Sequence, residues 1–401
     1  MSIASGSRRA VLLLAGCQAL AMTSMSVLAT TSAIIGNMLA ANKALSTLPV
    51  ALQQCGLMCA TIPAALLMGR IGRRGGFWTG AALGVSGGVV AGIAVWAASF
   101  PLFCLGTFMI GGSNGFVQQY RFAAAELADE GFRAKAISLV LAGGVVSGVF
   151  GPETAKWSRD LFAPVLFAGC FAMVVALQLA AAILLAFVRL PPPPPRGVLR
   201  GSGRPLRQIA GQKLFVVALL CGMVGNGVMS LVMTATPIAM IGCGYGFTDA
   251  AFVIQWHILG MYGPSFFTGH LIARFGLTPI LLTGAALLLA CCGINLAGIA
   301  EGNFWAANLI LGIGWNFLFI GGTTLLTRTY APAERAKVQA FNDFTIFGTS
   351  TLSSFSSGAL LAGFGWTIVQ MSVMPFVAVA AAAILWMWWT APRTAPSYAA
   401  D

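Results

Sequence analysis

The sequence predicts an all-α polytopic membrane protein, with twelve transmembrane helices in two pseudo-symmetric six-helix halves. Hydrophobic residues make up 58% of its 401 residues and charged residues only 8%, whereas about a quarter of a soluble globular chain is charged. The 49 glycines fit this class, because small residues let membrane helices approach closely. The five residues 79–83 also recur at 283–287, which indicates two related halves.

Twelve apolar stretches are long enough to cross a bilayer, which takes about 20 mostly apolar residues. The first six cover residues 10–36, 48–68, 77–98, 101–124, 135–156 and 163–188. The second six cover residues 213–238, 249–273, 277–299, 302–327, 335–361 and 364–391. Between them, prolines at 191–195 stop any helix. This predicts an N-terminal bundle at 1–188, a stiff linker rich in Pro and Arg at 189–212, and a C-terminal bundle at 213–401.

Basic connectors strengthen the evidence for a repeat. Residues 70–74 separate the second and third spans, and residues 274–276 separate the eighth and ninth, 204 positions later. A second pair, residues 133–135 and 335–337, opens the fifth and eleventh spans. Repeats at half the chain length indicate a duplicated membrane bundle.

The Lys and Arg residues predict the orientation, because cytoplasmic loops of membrane proteins collect them. With twelve spans and both termini in the cytoplasm, only three of the 22 Lys and Arg residues face the other side. These three are Lys43, Lys156 and Arg159. We therefore expect a multi-pass protein of the inner (cytoplasmic) membrane with both termini inside. The apolar run after Arg9 continues to about Leu39, beyond the length of a signal peptide, which indicates a retained first span.

Several other classes of protein are disfavoured. The net charge is +12, but the basic residues are scattered between apolar runs and no motif for nucleic acid appears. The nine cysteines show no metal-ligand spacing, so we expect neither a metal nor a cofactor. No ATP-binding loop is present. A membrane enzyme would need a clustered nucleophile, paired acids or metal ligands, and a channel or receptor would lack the duplicated connectors.

The chain resembles the major facilitator superfamily of secondary transporters over nearly its whole length. Residues 70–74 look like the family's signature loop between spans two and three, and residues 269–276 look like its weaker copy. The family's acidic residue before the first Arg helps to latch the two halves, but here Gly69 and Ala273 stand in those places. The resemblance implies a two-bundle fold with a gate at Arg70, Gly72, Arg73, Arg74, Arg274 and Gly276.

Polar residues near mid-span are candidates for a substrate site, since each needs a partner or a cavity. In the resembled family, spans one, four, seven and ten line the central cavity. The alternative for each amide is an interhelical hydrogen bond. The predicted substrate-binding residues are Asn114, Asn226, His257, Tyr262, Trp315 and Asn316.

Further candidates come from the first, eighth and tenth spans. A stripe in the first span could face the cavity, although hydroxyls are often satisfied by their own helix; it comprises Gln18, Thr23, Ser26 and Thr30. Gly263-Pro264 should interrupt the eighth span and free backbone carbonyls toward a cavity. Trp256 and Phe317 could add flat surfaces for an aromatic ring, with ordinary packing as the alternative.

Asp343 and His257 are the candidates for proton coupling. Asp343 lies about two turns into the eleventh span, where a carboxylate removed from water suits reversible proton binding. The alternative is a fixed ion pair with Arg335 or Arg328. An imidazole such as that of His257 titrates near neutral pH when unperturbed. Arg121 could hold a substrate anion or brace the gate.

The sequence thus predicts a monomeric secondary active transporter in the lipid bilayer. It would move a small neutral or weakly charged, aromatic solute by alternating access, coupled to protons. Uptake is favoured, for example of a vitamin such as riboflavin, because the family's export marker in span five is degraded at Gly151-Pro152. That pair can also simply bend the helix. The alternative is a proton-driven drug or metabolite efflux pump of the same superfamily.

Overall fold

The computed structural model describes residues 3–128, 136, 139, 140, 142–188, 190, 203–331 and 334–390. All regular elements in these ranges are helices. The N-terminal half contains α1 (Ile3–Leu39), α2 (Leu48–Trp96), α3 (Phe100–Val117), α4 (Tyr120–Leu127), α5 (Gly143–Ser158) and α6 (Ala168–Ala186). The C-terminal half contains α7 (Leu206–Ala210), α8 (Lys213–Gly242), α9 (Phe247–Tyr262), α10 (Ser265–Phe275), α11 (Leu277–Ala297), α12 (Glu301–Leu326) and α13 (Arg335–Trp389).

The helices confirm the predicted all-α membrane architecture. Within the described residues, eight helical stretches are long and apolar enough to cross a membrane. Helices α2 and α13 each consist of two helical segments joined at a non-helical glycine, Gly72 in α2 and Gly365 in α13. Each of them therefore covers two predicted spans. Helices α9 and α10 together cover the predicted eighth span and part at Gly263-Pro264, as expected.

Some boundaries differ from the prediction or cannot be compared with it. The sixth predicted span starts at residue 163, but α6 begins at Ala168, because residues 159–167 form turns. The fourth span is interrupted at Gln118 between α3 and α4. The predicted start of the fifth span, with residues 133–135, and the linker prolines at 191–195 lie outside the described residues.

The internal repeat is visible in the backbone. Gly72 has φ 80° and ψ 165°, and Gly276, 204 positions later, has φ 88° and ψ 162°. Residues with a side chain rarely adopt such a positive φ, so both reversals need glycine. The two basic connectors therefore turn the chain in the same way in the two halves.

The close helix crossings repeat with the same spacing. A Cβ added to Gly56 of α2 would lie 2.1 Å from the carbonyl oxygen of Phe108 in α3. A Cβ on Gly260 of α9, again 204 positions later, would lie 2.6 Å from the carbonyl oxygen of Leu309 in α12. Both glycines let two helix backbones touch, as small residues do in membrane bundles.

Each half packs around apolar clusters of its own. One cluster lies within residues 10–188 and includes Phe77 and Tyr120, whose rings meet edge-on at 4.6 Å. Another lies within residues 209–387 and includes Phe215 and Leu281. Large apolar side chains such as that of Trp389 remain exposed, as expected for a surface that faces lipid hydrocarbon.

The bundle has two distinct ends. We name the end with the connectors 70–74 and 274–276 the basic end, and the opposite one the far end. At the far end the halves touch, because the backbone N–H of Gly358 donates to Thr47 Oγ1 at 3.0 Å. The rings of Phe167 and Phe247 also meet there edge-on, with 5.2 Å between centroids. The Arg159 guanidinium lies over both rings, at 5.7 and 5.4 Å, so the far end is closed.

At the basic end, the end of the linker is fastened to the C-terminal half. Arg204 donates from its backbone N–H to Glu334 Oε1 at 2.7 Å and from Nη2 to Glu334 Oε2 at 2.8 Å. The backbone N–H of Ala331 donates to the same carboxylate at 2.9 Å. These bonds lower the pKa of Glu334 to about 2, and those from Arg204 have the largest effect. Residues 203–212 are thereby held against the start of α13.

Candidate functional site

A cavity of about 280 Å³ lies between the two halves. Helices α1 to α5 line one side, which we name the N-terminal wall. Helices α8, α9, α12 and α13 line the other, which we name the C-terminal wall. The lining extends toward the basic end as far as Arg121 and Phe122, while the far end is closed by the contacts described above. The cavity is therefore approached from the basic end.

Helix α1 presents one face to the cavity. Its lining residues follow helical spacing, so they lie on one stripe of the helix; they are Gln18, Met22, Met25, Ser26 and Ala29. Thr23 and Thr30 of the predicted stripe point elsewhere and donate to the carbonyls of Ala19 and Ser26 in their own helix. Only part of the predicted polar stripe therefore reaches the cavity.

The N-terminal wall carries amides with unused hydrogen-bonding capacity. Gln18 and Asn114 are only 6% and 7% exposed, and both line the cavity. Gln18 Oε1 and Asn114 Oδ1 have no hydrogen-bond partner within the part of the chain that the structure describes. Buried polar groups in proteins are normally paired, so these two amides are suited to a ligand that donates hydrogen bonds.

The C-terminal wall is aromatic. Trp315 and Phe319 lie one turn apart on α12 and stack with 4.7 Å between centroids and 9° between planes. Tyr262 of α9 meets Trp315 edge-on at 6.2 Å. Gly144 of α5 leaves room for the tyrosine, because a Cβ there would lie 2.8 Å from the ring. The three aromatic side chains form one surface on the cavity.

Asn226 lines the same wall, but its hydrogen-bonding groups are occupied. Its Oδ1 accepts from Trp315 Nε1 at 3.1 Å, and its Nδ2 donates to the carbonyl of Gly222 at 2.9 Å. This amide therefore fixes the indole ring of Trp315, in contrast to the amides of the opposite wall.

Two opposite charges lie at the part of the cavity nearest the basic end. Arg121 belongs to the N-terminal wall and Asp343 to the C-terminal wall, and the two are close enough to interact electrostatically. Asp343 Oδ1 accepts from Asn342 Nδ2 at 3.1 Å. The guanidinium of Arg121 lies 4.9 Å from the centroid of the Phe122 ring. Across the halves, Arg335 lies 5.8 Å from the same ring.

His257 and Asn316 are not among the residues that line the cavity, contrary to the site drawn from the sequence. His257 is fully buried where α9 crosses α12, with Nδ1 2.9 Å from the carbonyl oxygen of Asn308. Asn316 is fastened to the break between α9 and α10. Its Nδ2 donates to the carbonyl of Met261 at 2.6 Å, and its Oδ1 accepts from Thr268 at 2.7 Å. The carbonyl of Met261, beside the Gly-Pro break, therefore accepts a hydrogen bond from Asn316 and does not face a ligand in the cavity.

Other differences concern apolar side chains. Trp256 packs edge-on against Trp305, 5.8 Å between centroids, and Phe317 packs beside Gly284 of α11, so neither lines the cavity. Phe319 does, and its spacing of four from Trp315 could have revealed it. Methionines also line both walls; these are Met22, Met25, Met229, Met233 and Met261. Their flexible side chains adapt to ligands of varied shape.

The predicted gate residues lie on the surface of the basic end. Arg70, Arg74 and Arg274 are exposed, and Arg73 is half-buried. Gly69, which replaces the expected acid, is exposed, and a Cβ added there would have no heavy atom within 4 Å. Gly72 and Gly276 supply the backbone reversals. In the described ranges, no group of three His, Cys, Asp or Glu side chains could hold a metal ion.

The chain matches known proteins along most of its length. The sequence model of the Major Facilitator Superfamily matches residues 14–341. The riboflavin transporter RfnT of Brucella anthropi is 41% identical over 380 residues, which cover 94% of this chain and 96% of that protein. The uncharacterized MFS-type transporter YddS of Bacillus subtilis is 31% identical over 77% of this chain and 76% of that protein. The solved structure of an auto-inhibited POT family peptide transporter shares the fold, with a TM-score of 0.69, 13% identity and coverage of 98% of this chain and 99% of that one.

Proposed function

The chain belongs to the Major Facilitator Superfamily and is a membrane transporter, and we propose that its substrate is riboflavin or a closely related flavin. The observation that carries this proposal is the aromatic wall of Tyr262, Trp315 and Phe319 facing the amides of Gln18 and Asn114. Riboflavin combines a flat heteroaromatic ring system with a side chain that carries several hydroxyl groups. The 41% identity to the riboflavin transporter RfnT over 94% of the chain supports the same substrate.

We further propose uptake by alternating access across the inner membrane, with the basic end and both termini in the cytoplasm. The excess of Lys and Arg at the basic end supports this orientation. The far end is closed and the cavity is approached from the basic end, which corresponds to an inward-facing state. Rocking of one half against the other would expose the same cavity at the far end. One chain suffices as the transport unit, because both walls belong to it.

Proton coupling through Asp343 is part of the same proposal. Asp343 and Arg121 lie on opposite walls, so their attraction holds the halves together near the basic end only while the carboxylate is charged. Protonation of Asp343 would weaken that attraction and favour separation of the two walls at this point. The protonation state would thereby bias the inward- and outward-facing states. His257, which lies outside the cavity, is not assigned this role.

The proposal is tested with purified protein in liposomes and labelled riboflavin. We expect saturable uptake that accumulates riboflavin when the liposome interior is alkaline, and no accumulation when an ionophore abolishes the pH gradient. Asp343→Asn should abolish accumulation and retain exchange of labelled for unlabelled riboflavin, because exchange needs no net proton movement. Absence of riboflavin binding would contradict the substrate assignment. Gradient-driven accumulation by Asp343→Asn would contradict the coupling role but leave the substrate intact.

A further inference from the structure

The two walls of the cavity differ in what they offer to a ligand. On the N-terminal wall, Gln18 and Asn114 are more than nine-tenths buried, and each has a side-chain oxygen without a partner among the described residues. Ser26 Oγ, on the same face of α1, is unpartnered as well. Both amide side chains line the cavity. This wall therefore favours groups that donate hydrogen bonds.

The C-terminal wall offers flat surface, and the amide beside that surface is already hydrogen-bonded. Asn226 bonds to Trp315 and to the carbonyl of Gly222. That bond holds the edge of the Trp315 indole, and the parallel ring of Phe319 covers one of its faces. A group that needed hydrogen bonds would gain little from Asn226, whereas a planar ring could stack on a surface that is already fixed in orientation.

We propose that the cavity holds a flavin in one orientation, with the fused ring on the C-terminal wall and the hydroxylated chain on the N-terminal wall. This inference rests on the proposed function, since it concerns the same substrate. Tyr262, Trp315 and Phe319 contact the ring. Gln18 and Asn114 accept hydrogen bonds from the hydroxyl groups of the chain. The substrate class is thus a planar heteroaromatic ring that carries a polyhydroxylated side chain.

Pairing ligand truncation with isosteric substitution tests the orientation. The ligands are riboflavin and lumiflavin, which has the same ring but a methyl group in place of the hydroxylated chain. The variants are Gln18→Met, Asn114→Leu and Trp315→Leu, with Thr23→Val as the control. Thr23 lies on α1 but does not line the cavity, and its hydroxyl is satisfied by the helix. Affinities are measured from quenching of flavin fluorescence, after each variant has been shown to be folded by size-exclusion chromatography and thermal unfolding.

Gln18→Met and Asn114→Leu should each weaken riboflavin binding about tenfold, because a hydrogen bond in the buried site is lost. Their affinity for lumiflavin should stay within about twofold of the wild type. Trp315→Leu should weaken both ligands by the same factor, and Thr23→Val should change neither. Each of the two amide variants tests the orientation by itself. If one of them does not fold, the other still provides the test.

Two results would overturn the orientation while leaving riboflavin as the substrate. Equal losses for riboflavin and lumiflavin in the amide variants would place the ring on the N-terminal wall. Unchanged riboflavin affinity in these variants would show that the two amides do not take part in substrate recognition. Wild-type protein that binds neither flavin would instead contradict the proposed function itself, and the orientation with it.

Discussion

The two walls of the cavity occupy corresponding places in the repeat but differ in chemistry. Two carbonyl oxygens lie against the glycines at the helix crossings: that of Phe108 in α3 against Gly56, and that of Leu309 in α12 against Gly260. Phe108 and Leu309 are 201 residues apart. The same separation relates Asn114 to Trp315. One position therefore presents an amide with a free oxygen, and its counterpart presents an indole ring held by Asn226. The repeat preserves the helix crossings, whereas the lining of each wall is its own.

This difference separates what shapes the bundle from what selects the solute. Helix crossings at Gly56 and Gly260 depend on backbone contact and tolerate no side chain. The walls depend on a few side chains that project from those crossed helices. A substrate with one flat part and one hydroxylated part fits two unlike walls better than two identical ones, because each part finds its own kind of partner.

Substitution of the crossing glycines should have the largest effect. Gly56→Ala or Gly260→Ala places a methyl group 2.1 or 2.6 Å from a backbone oxygen of the neighbouring helix. The helices must separate, and overpacking of this kind costs about 1–3 kcal/mol or more. We expect a lower unfolding temperature and less folded protein in detergent for both variants, measured by thermal unfolding and size-exclusion chromatography.

The matched controls for this prediction are Gly69→Ala and Gly269→Ala. Both positions are helical, and an added Cβ at either would meet no heavy atom within 4 Å. They should unfold at or above the wild-type temperature, because alanine favours a helix over glycine. If Gly56→Ala destabilised the protein and Gly260→Ala did not, the two crossings would not be equivalent and the comparison between the halves would fail.

Asn226→Leu should have an intermediate effect that is specific to the C-terminal wall. The substitution removes the acceptor for Trp315 Nε1 and frees the indole to rotate. Interhelical hydrogen bonds in membranes contribute on average about 0.6 kcal/mol and at most about 1.7, so affinity should fall at least about threefold and at most about twentyfold. The affinities for riboflavin and lumiflavin should fall by the same factor in fluorescence titrations, because the substitution affects contacts with the ring and not those with the hydroxylated chain.

Asn295→Leu is the control for the loss of a buried amide. Asn295 of α11 donates to Gln370 of α13 at 3.1 Å, away from the cavity. This variant should lose comparable thermal stability and keep its flavin affinity. A larger loss for riboflavin than for lumiflavin in Asn226→Leu would show that Asn226 contacts the hydroxylated chain directly rather than positioning Trp315. Direct contact of Asn226 with the substrate is what the sequence predicted.

The sequence predicted the architecture well because its signals are long and redundant. Apolar runs, the charge asymmetry and the repeat at 204 residues all indicate the same bundle. The site was predictable only in part. Asn114, Asn226, Tyr262, Trp315, Arg121 and Asp343 line the cavity, whereas His257 and Asn316 do not. Depth in the membrane can be counted along the sequence, but the direction of a side chain depends on how each helix is rotated against its neighbours.

Asn316 illustrates this limit. It follows Trp315 directly and lies at the same depth, yet one residue along a helix turns the side chain by about 100°. That rotation carries Asn316 from the cavity to the break between α9 and α10, where it bonds to the carbonyl of Met261. The sequence does contain the Gly263-Pro264 break, but it does not state which amide satisfies the exposed backbone there.

The smallest predicted effect concerns the fastening of the linker to the C-terminal half. The hydrogen bonds from Arg204 and Ala331 lower the pKa of Glu334 to about 2 from an ordinary value of 4.5, so the charged carboxylate stabilises the folded state. That stabilisation is complete above pH 4.5 and is lost as the pH falls through 2. Glu334→Gln should therefore lower the unfolding temperature slightly at pH 7, and the difference from the wild type should disappear near pH 2. Glu301→Gln, at an exposed site, is the control and should not lower the unfolding temperature. A constant difference between Glu334→Gln and the wild type at all pH values would mean that the charge of Glu334 contributes nothing, and that its shape alone holds the linker on the C-terminal half.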